Sequence, residues 1–235
     1  FAEVGGHAQI LATVCVILVF KSRNFAVGIT LKKTEVILTA LVGLILIGEG
    51  VSTISMFLIC LGGAGVFFLS KKVSSVDRSN FSILNKSAVY GLLSGLLFAI
   101  SAVCYRSATL SVVSDLVYFR AGFTLLIVIL SQSFVMTIWL ALFEPGQIKL
   151  VWLERKKGFW VGVTSLGGSF FWFTAFTLQN AAFVKAVGQI ELIFSLLITT
   201  LFFKERILKR DIRNVTNWDQ CIRFNFSCLI NHRHH

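Results

Sequence analysis

The amino-acid sequence predicts an all-α fold, a polytopic transmembrane helix bundle, from its composition, its run lengths and its loop charges. Of the 235 residues, 56% are hydrophobic and 14% are charged, with one proline and a mean hydropathy of +0.81. One soluble core could not hide that much apolar surface, so a lipid bilayer must form part of the environment. The net charge is +11, and the Lys and Arg residues cluster between the apolar runs. Cytoplasmic loops of membrane proteins are enriched in Lys and Arg, and this loop-charge rule explains the net charge without a nucleic-acid partner.

Seven apolar segments follow one another, each long enough at about 1.5 Å per residue to cross roughly 30 Å of hydrocarbon. They are residues 4–20, 25–48, 52–70, 88–105, 121–143, 158–178 and 181–203. Barrel strands would be shorter and would alternate polar with apolar residues, whereas stretches such as LLIVIL are apolar on every face. The segments therefore predict helices. Closely spaced glycines, Gly91 with Gly95 and Gly158 with Gly162, favour close packing between them.

Lysine and arginine concentrate in alternate connections, after the first, third, fifth and seventh segments. The opposite connections are nearly free of lysine. The loop-charge rule assigns the basic side to the cytoplasm, which would put the basic linker at 71–87 inside the cell.

The sequence also matches itself at an offset of 156 residues, which superimposes residues 20–49 on residues 176–205. Three polar residues recur in this alignment: Asn24 with Asn180, Glu35 with Glu191, and Glu49 with Glu205. Shared polar positions within apolar runs favour a true internal repeat. Repeated groups of membrane helices are typical of transporters, in which two related halves move around a site near the midplane.

Several stretches resemble the EamA-type family of the drug/metabolite transporter superfamily. They are LIGE at 46–49, LFAISAVCYRSATL at 97–110, WFTAFTLQNAAFVKAVGQIELIFS at 172–195 and FFKERI at 202–207. The resemblance covers residues 4–210. It implies two repeats of five helices each and a multi-pass carrier of the bacterial inner membrane. The family places both termini in the cytoplasm, which would put the linker at 71–87 outside, so the orientation stays open.

On that ten-helix plan, the seven segments correspond to the third through ninth helices. The resulting divisions are 1–70 for the last three helices of the first repeat, 71–87 for the linker, 88–207 for the first four helices of the second repeat and 208–235 for a polar tail. The repeat offset puts the tenth helix at 208–225, where the residues read LKRDIRNVTNWDQCIRFN. Each central Arg or Asp would cost about 2.5 to 3.5 kcal/mol in a membrane helix. We therefore expect a non-native or frameshifted tail and a chain truncated at both ends.

Two glutamates, Glu35 and Glu191, lie within apolar runs at matching places of the repeat. An ionisable group at membrane depth is a candidate functional group. Removal from water favours the neutral carboxyl form, which suits proton binding and release. Either glutamate could therefore couple proton movement to substrate exchange. The alternative for Glu35 is a structural ion pair with Lys32, three residues away on the same helical face.

The remaining candidate site residues are Lys32, Lys185, Gln189, Trp172 and Phe176. The lysines could hold an anionic group in a central cavity, or extend from a helix end to the lipid headgroups. The glutamine would suit a cavity wall or an interhelical hydrogen bond. The aromatic side chains could line a cavity for apolar or cationic substrates, or they could face lipid.

Motifs for other functions do not occur in the sequence. It has no Walker loop, no G-x-S-x-G elbow and no H-E-x-x-H, and its five cysteines never form C-x-x-C. We therefore expect no enzyme, no cofactor and no metal site. The predicted function is secondary transport of a small-molecule metabolite, with protons as the coupling ion. The alternative is a transport-inactive membrane product of a damaged gene.

Overall fold

The computed structural model describes residues 1–22, 25–50, 86–144 and 146–190, together with five residues between 52 and 59. Eight α-helices have both ends within these ranges, and no β-strand occurs there. In chain order, α1 to α8 span Ala2–Lys21, Phe25–Lys32, Glu35–Ile47, Lys86–Ser111, Val117–Phe143, Gln147–Leu153, Arg155–Leu178 and Ala181–Gly188. The predicted all-α fold class is confirmed for this part of the chain.

Four helices are long and apolar enough to cross a membrane, namely α1, α4, α5 and the Gly158–Leu178 part of α7. They cover the first, fourth, fifth and sixth predicted segments. These helices fit a membrane-embedded, multi-pass protein. Most of the third segment, the seventh segment after residue 190 and the tail at 208–235 lie outside the described residues, as does the linker at 71–87 up to residue 85.

The second predicted segment is not the single helix that hydropathy indicated. It forms α2 and α3, which are separated by a two-residue turn at Lys33 and Thr34, called here the α2–α3 break. The Thr34 hydroxyl and the Thr34 N–H both donate to the Leu31 carbonyl oxygen, at 2.7 and 3.1 Å. A threonine hydroxyl that bonds nearby backbone offers the chain an alternative to the helical pattern. At about 1.5 Å per residue, the two halves measure about 12 and 20 Å.

The same local pattern recurs 156 residues later in the sequence. Helix α8 occupies the positions of α2 at this offset, with the same length of eight residues. The two residues after it, Gln189 and Ile190, form a turn at the positions of Lys33 and Thr34. The sequence repeat therefore has a counterpart in the bounds of two short helices and in the turns that end them.

Helix α4 lies at the centre of the described bundle, where it packs against α1, α2 and α3 and also against α7. Two glycines allow this packing. A Cβ at Gly91 would collide with the Gly28 carbonyl oxygen of α2, and a Cβ at Gly95 would lie 2.9 Å from the Lys32 carbonyl oxygen. The predicted packing role of these two glycines is confirmed. Gly158 and Gly162 differ, because a Cβ at either would meet no atom of the described residues within 4 Å.

The helix directions define two ends of the bundle. Helix α1 runs antiparallel to α4, because Gln9 contacts Tyr105 near the end of α4, whereas Val19 and Ser87 both lie against Gly28. The end of α1 and the beginning of α4 therefore lie at the same end, which we call the basic end. Helix α7 runs parallel to α4, since residues near both C-termini are in contact. The basic end thus carries these exposed residues: Lys21, Lys86, Arg155 and Lys156.

Candidate functional site

A cavity of about 170 Å³, called here the central cavity, lies between α1, α4, α7 and α8. Its lining combines five aromatic side chains with other polar groups and one ammonium group. The lining residues are Phe98, Tyr105, Trp172, Phe173, Phe176, Gln9, Ser101, Ala102, Ser169 and Lys185. Phe98 lies at the middle of α4, about 18 to 20 Å from either end of that helix. The lining extends from there toward the end opposite the basic end, where Tyr105 and Phe176 approach the C-termini of α4 and α7.

Two lysines and one glutamate meet beside this cavity. The Lys185 Nζ lies 3.8 Å from a Glu35 carboxylate oxygen, and the two side chains are only 16% and 11% exposed. Lys32 Nζ lies 4.8 Å from the centroid of the Phe98 ring, and Lys185 Nζ lies 5.7 Å from the same centroid. Ammonium groups are attracted to the faces of aromatic rings at such distances. The rings thus help to hold two cationic groups at membrane depth.

The ion-pair partner of Glu35 differs from the one considered on sequence spacing. Lys32 and Glu35 would share a face of a continuous helix. The α2–α3 break intervenes, so that Lys32 ends α2 and Glu35 begins α3. Within the described ranges, the ion pair of Glu35 is made with Lys185 of α8 instead. Glu35 consequently joins the N-terminal part of the chain to the C-terminal part.

The aromatic residues of α7 divide between two faces. Phe173 and Phe176 are 5% and 4% exposed, and their neighbours across the cavity include Tyr105, whose ring centroid is 4.6 Å from that of Phe173. Trp172 also faces the cavity, where Lys185 Nζ lies 5.4 Å from its ring centroid. Phe171 is 73% exposed and points away. Trp172 and Phe176 therefore line the cavity, whereas their neighbour on the helix suits contact with lipid.

Of the other two predicted site residues, Gln189 is not brought to the cavity. Gln189 ends α8 one turn beyond Lys185, but it is not among the lining residues. Its amide oxygen is buried and accepts no hydrogen bond from the described residues. Glu191 lies outside the described residues.

Sequence reasoning did not identify a polar network in the cavity wall. The Tyr105 hydroxyl donates to Gln9 Oε1 at 2.6 Å, and Gln132 Nε2 donates to the same oxygen at 3.0 Å. Gln132 Nε2 also donates to the Gly6 carbonyl oxygen at 3.1 Å. This network joins α1, α4 and α5. The available signal was the presence of two isolated glutamines within apolar segments, since polar groups in membrane helices pair across helices.

A second polar cluster, called here the Glu49 cluster, consists of Glu49, Arg106 and Asn180. Arg106 Nη2 lies 2.9 Å from Glu49 Oε1, and Arg106 Nε donates to both carboxylate oxygens at 3.0 and 3.1 Å. Asn180 Nδ2 donates to Glu49 Oε2 at 3.1 Å. Arg106 also donates to the carbonyl oxygens of Phe176 and Thr177, at 2.7 and 3.1 Å. The cluster connects α3, α4, α7 and α8 at the end opposite the basic end.

Helix-terminal features of the backbone position two residues of the Glu49 cluster, Glu49 and Asn180. Gly48 adopts a left-handed φ of 72° and ends α3, which brings Glu49 to the helix terminus. Asn180 is the N-cap of α8, because its Oδ1 accepts the Ala182 N–H at 2.9 Å. The sequence repeat had already paired both residues with counterparts, but it did not indicate that they touch each other.

Comparison with known proteins found no matching family model, no similar curated protein and no similar solved structure. Among the described residues, no group of three or more His, Cys, Asp or Glu side chains could hold a metal ion. The central cavity offers aromatic rings, hydroxyl and amide groups and the ammonium group of Lys185. Such a lining can bind a small solute that has both a polar and an apolar part.

Proposed function

We propose that this protein is a secondary transporter of small metabolites, of the EamA type in the drug/metabolite transporter superfamily, with its substrate site in the central cavity. The observation that carries the proposal is the pair of short helices, α2 and α8, which end in turns at matching places of the 156-residue repeat. Broken membrane helices at corresponding positions of two related halves are typical of the binding sites of carriers.

The directions of the two short helices support this proposal. Helix α2 begins at the basic end, because Gly28 packs against Ser87 near the beginning of α4. Helix α8 begins at the opposite end, because Asn180 bonds to Glu49 after the end of α3. The two helices therefore enter the bundle from opposite sides. Repeats of inverted topology have this property.

The position of the Glu49 cluster supports a mechanism of alternating access. Its contacts join a residue before position 50 to residues after position 100 at one end of the described bundle. Separation of these elements would open the central cavity at that end, while closure at the basic end would complete the exchange. Movement of two halves around a fixed central site is the general mechanism of such carriers.

Proton coupling would act through the Glu35 and Lys185 pair. A proton on Glu35 would remove the negative charge that faces Lys185, so that a substrate could compete for contact with its ammonium group. Proton binding and substrate binding would then favour each other, as thermodynamic linkage requires of two coupled sites. The bacterial inner membrane, where a proton gradient is available, is the proposed location, with lipid around the exposed apolar faces.

The test is solute flux through the purified chain reconstituted in liposomes. The vesicles would be loaded with buffer, given an inward pH gradient and exposed to a pooled metabolite panel, and their contents would be measured by mass spectrometry. We expect at least one metabolite to accumulate above the level in protein-free vesicles. Glu35→Gln is expected to remove the dependence on the gradient but to retain exchange of that metabolite. Absence of both accumulation and exchange for the whole panel would refute the carrier and favour a transport-inactive membrane protein.

A further inference from the structure

We propose that Gln9 selects the solutes that the central cavity binds. Its side-chain amide nitrogen donates a hydrogen bond to an acceptor on a small solute, such as a carbonyl oxygen, while the flat apolar part of that solute packs against the aromatic rings. Calling the solute a substrate rests on the proposed function. The orientation of Gln9 is argued from the contacts in the cavity wall alone.

The orientation of Gln9 follows from a series of hydrogen bonds that begins at the Gly6 carbonyl oxygen. A backbone carbonyl oxygen only accepts hydrogen bonds, so the Gln132 atom that lies 3.1 Å from it must be the amide nitrogen. The same nitrogen lies 3.0 Å from the side-chain amide of Gln9. An amide nitrogen only donates, so the Gln9 atom that faces it must be the oxygen, Oε1. The rules for donors and acceptors therefore fix the orientation of both amide groups.

The side-chain oxygen of Gln9 is fully used within the cavity wall. It accepts from Gln132 Nε2 and also, at 2.6 Å, from the Tyr105 hydroxyl. An amide oxygen has two lone pairs, and these two donors occupy both of them. A ligand donor that approaches Gln9 would therefore have to displace a contact that holds α1 to α4 or to α5.

The side-chain nitrogen of Gln9 is the group that remains for a ligand. Nε2 carries two hydrogens, and none of the described residues accepts a hydrogen bond from it. Gln9 lines the central cavity and is only partly buried. A donor that leaves water without gaining an acceptor is unfavourable, so a solute that supplies an acceptor gains this hydrogen bond on binding. A solute that carries only donors gains no hydrogen bond there.

The surroundings of this amide donor indicate the rest of the solute. The Tyr105 ring lies with its centroid 4.6 Å from that of Phe173, and Phe98, Trp172 and Phe176 line the same cavity. Planar groups pack against such rings in offset or edge-to-face arrangements. The cavity volume of about 170 Å³ is below the range of about 300 to 1,000 Å³ that is typical of pockets for drug-sized ligands. A single planar ring that carries a carbonyl group fits these requirements.

Two ligands that differ in one atom test the preference for an acceptor. Benzamide and thiobenzamide are neutral and planar, but thiobenzamide has sulfur in place of the carbonyl oxygen, and sulfur is a weak acceptor. Their binding to the detergent-solubilised full chain would be measured by titration calorimetry. We expect benzamide to bind at least about threefold more tightly, which corresponds to one neutral hydrogen bond. Equal or tighter binding of thiobenzamide, or binding of neither, would overturn the proposal.

Variants at Gln9 test whether the preference belongs to this residue, since Lys185 also lines the cavity and can attract an acceptor. Tyr105→Phe removes one donor to Oε1 but leaves Nε2 in place, so the preference for benzamide should persist. Addition of Gln9→Met to this variant removes the amide, and the ratio of the two affinities should fall at least about threefold. The parent ratio in a folded double variant would assign the preference to another group and overturn the proposal.

A reversal of the hydrogen-bond role gives a test of opposite sign. Gln9→Glu keeps one oxygen for the two donors of the cavity wall and replaces the nitrogen by a second oxygen. Benzamidine is planar like benzamide, but it is cationic and carries only donors, so it should bind this variant at least about fivefold more tightly than the parent chain. Gln179→Glu makes the same change at an exposed position and should leave the affinity unchanged. Unchanged benzamidine affinity in a folded Gln9→Glu would contradict the proposal.

The binding and flux measurements fail independently. A preference for benzamide that depends on Gln9, without flux of any metabolite, would refute the carrier and leave the donor site in place. Flux without this preference would leave the carrier in place and refute the donor site. Near-ultraviolet circular dichroism of each variant, compared with the parent chain, separates a loss of binding from a loss of fold.

Discussion

The packing of α4 against α2 depends on Gly91, and Gly91→Ala tests it. A Cβ at this position would collide with the Gly28 carbonyl oxygen and would lie 2.7 Å from the Gly28 Cα. Both obstacles are backbone atoms, which cannot move aside as the end of a flexible side chain can. The two helices would have to separate along their contact, and the neighbouring contact of Gly95 with Lys32 would be lost with it.

The magnitude follows from two opposing effects. Alanine in place of glycine favours a helix interior by about 0.8 to 1 kcal/mol. Overpacking of a close contact costs about 1 to 3 kcal/mol, and contact with backbone puts Gly91→Ala at the upper end of that range. Gly162→Ala is the matched control, because it lies within α7 and a Cβ there meets no atom of the described residues within 4 Å. The difference between the two variants isolates the cost of the contact.

The assay is thermal unfolding of the detergent-solubilised chain, followed by intrinsic fluorescence. At roughly 2 to 4 °C for each kcal/mol in a chain of this size, a cost of about 3 kcal/mol should make Gly91→Ala melt about 6 to 12 °C below Gly162→Ala. The control should melt at or slightly above the temperature of the parent chain. Equal melting temperatures for the two variants would refute the close approach of α2 and α4.

Two further variants test the polar contacts between the helices. Arg106→Ala should lower the free energy of unfolding by about 1 to 3 kcal/mol, because Glu49 would remain partly buried without a cation. The melting temperature should therefore fall below that of Arg155→Ala, which makes the same change at an exposed site. Similar melting temperatures for both would contradict a structural role of the Glu49 cluster. Tyr105→Phe should lower the free energy of unfolding by about 1 kcal/mol, because the hydrogen bond to Gln9 is lost. Tyr118→Phe makes the same change at an exposed position and should not lower it. Equal unfolding free energies for the two variants would contradict the hydrogen-bond network in the cavity wall.

The membrane helices could be predicted from the sequence because hydropathy is a local property of long windows. Segments 88–105 and 121–143 reappear within α4 and α5 for that reason. The α2–α3 break could not be found in the same way, since two polar residues hardly change the average over about 19 positions. The internal repeat did carry a local signal, because its offset relates the turn at Lys33 and Thr34 to the turn after α8.

The partners of the site residues could not be predicted, because they depend on which helices meet in space. Sequence spacing related Glu35 to Lys32, whereas the ion pair of Glu35 reaches α8. The two faces of α7 were also indistinguishable, because adjacent aromatic residues such as Phe171 and Trp172 occur on both. Only the neighbouring helices decide which ring faces the cavity and which ring faces outward.

The most direct test of the central claim is the reactivity of a single cysteine in the cavity from each side of the membrane. Ser101→Cys would be introduced into a chain whose five native cysteines are replaced, reconstituted in liposomes and treated with a membrane-impermeant thiol reagent outside or inside. Ser101 lines the central cavity, whereas Ser94 of the same helix is buried away from it and provides the control position. An alternating-access carrier predicts labelling of Ser101→Cys from both sides and of Ser94→Cys from neither. Labelling of Ser101→Cys from one side only, or from neither, would contradict the account.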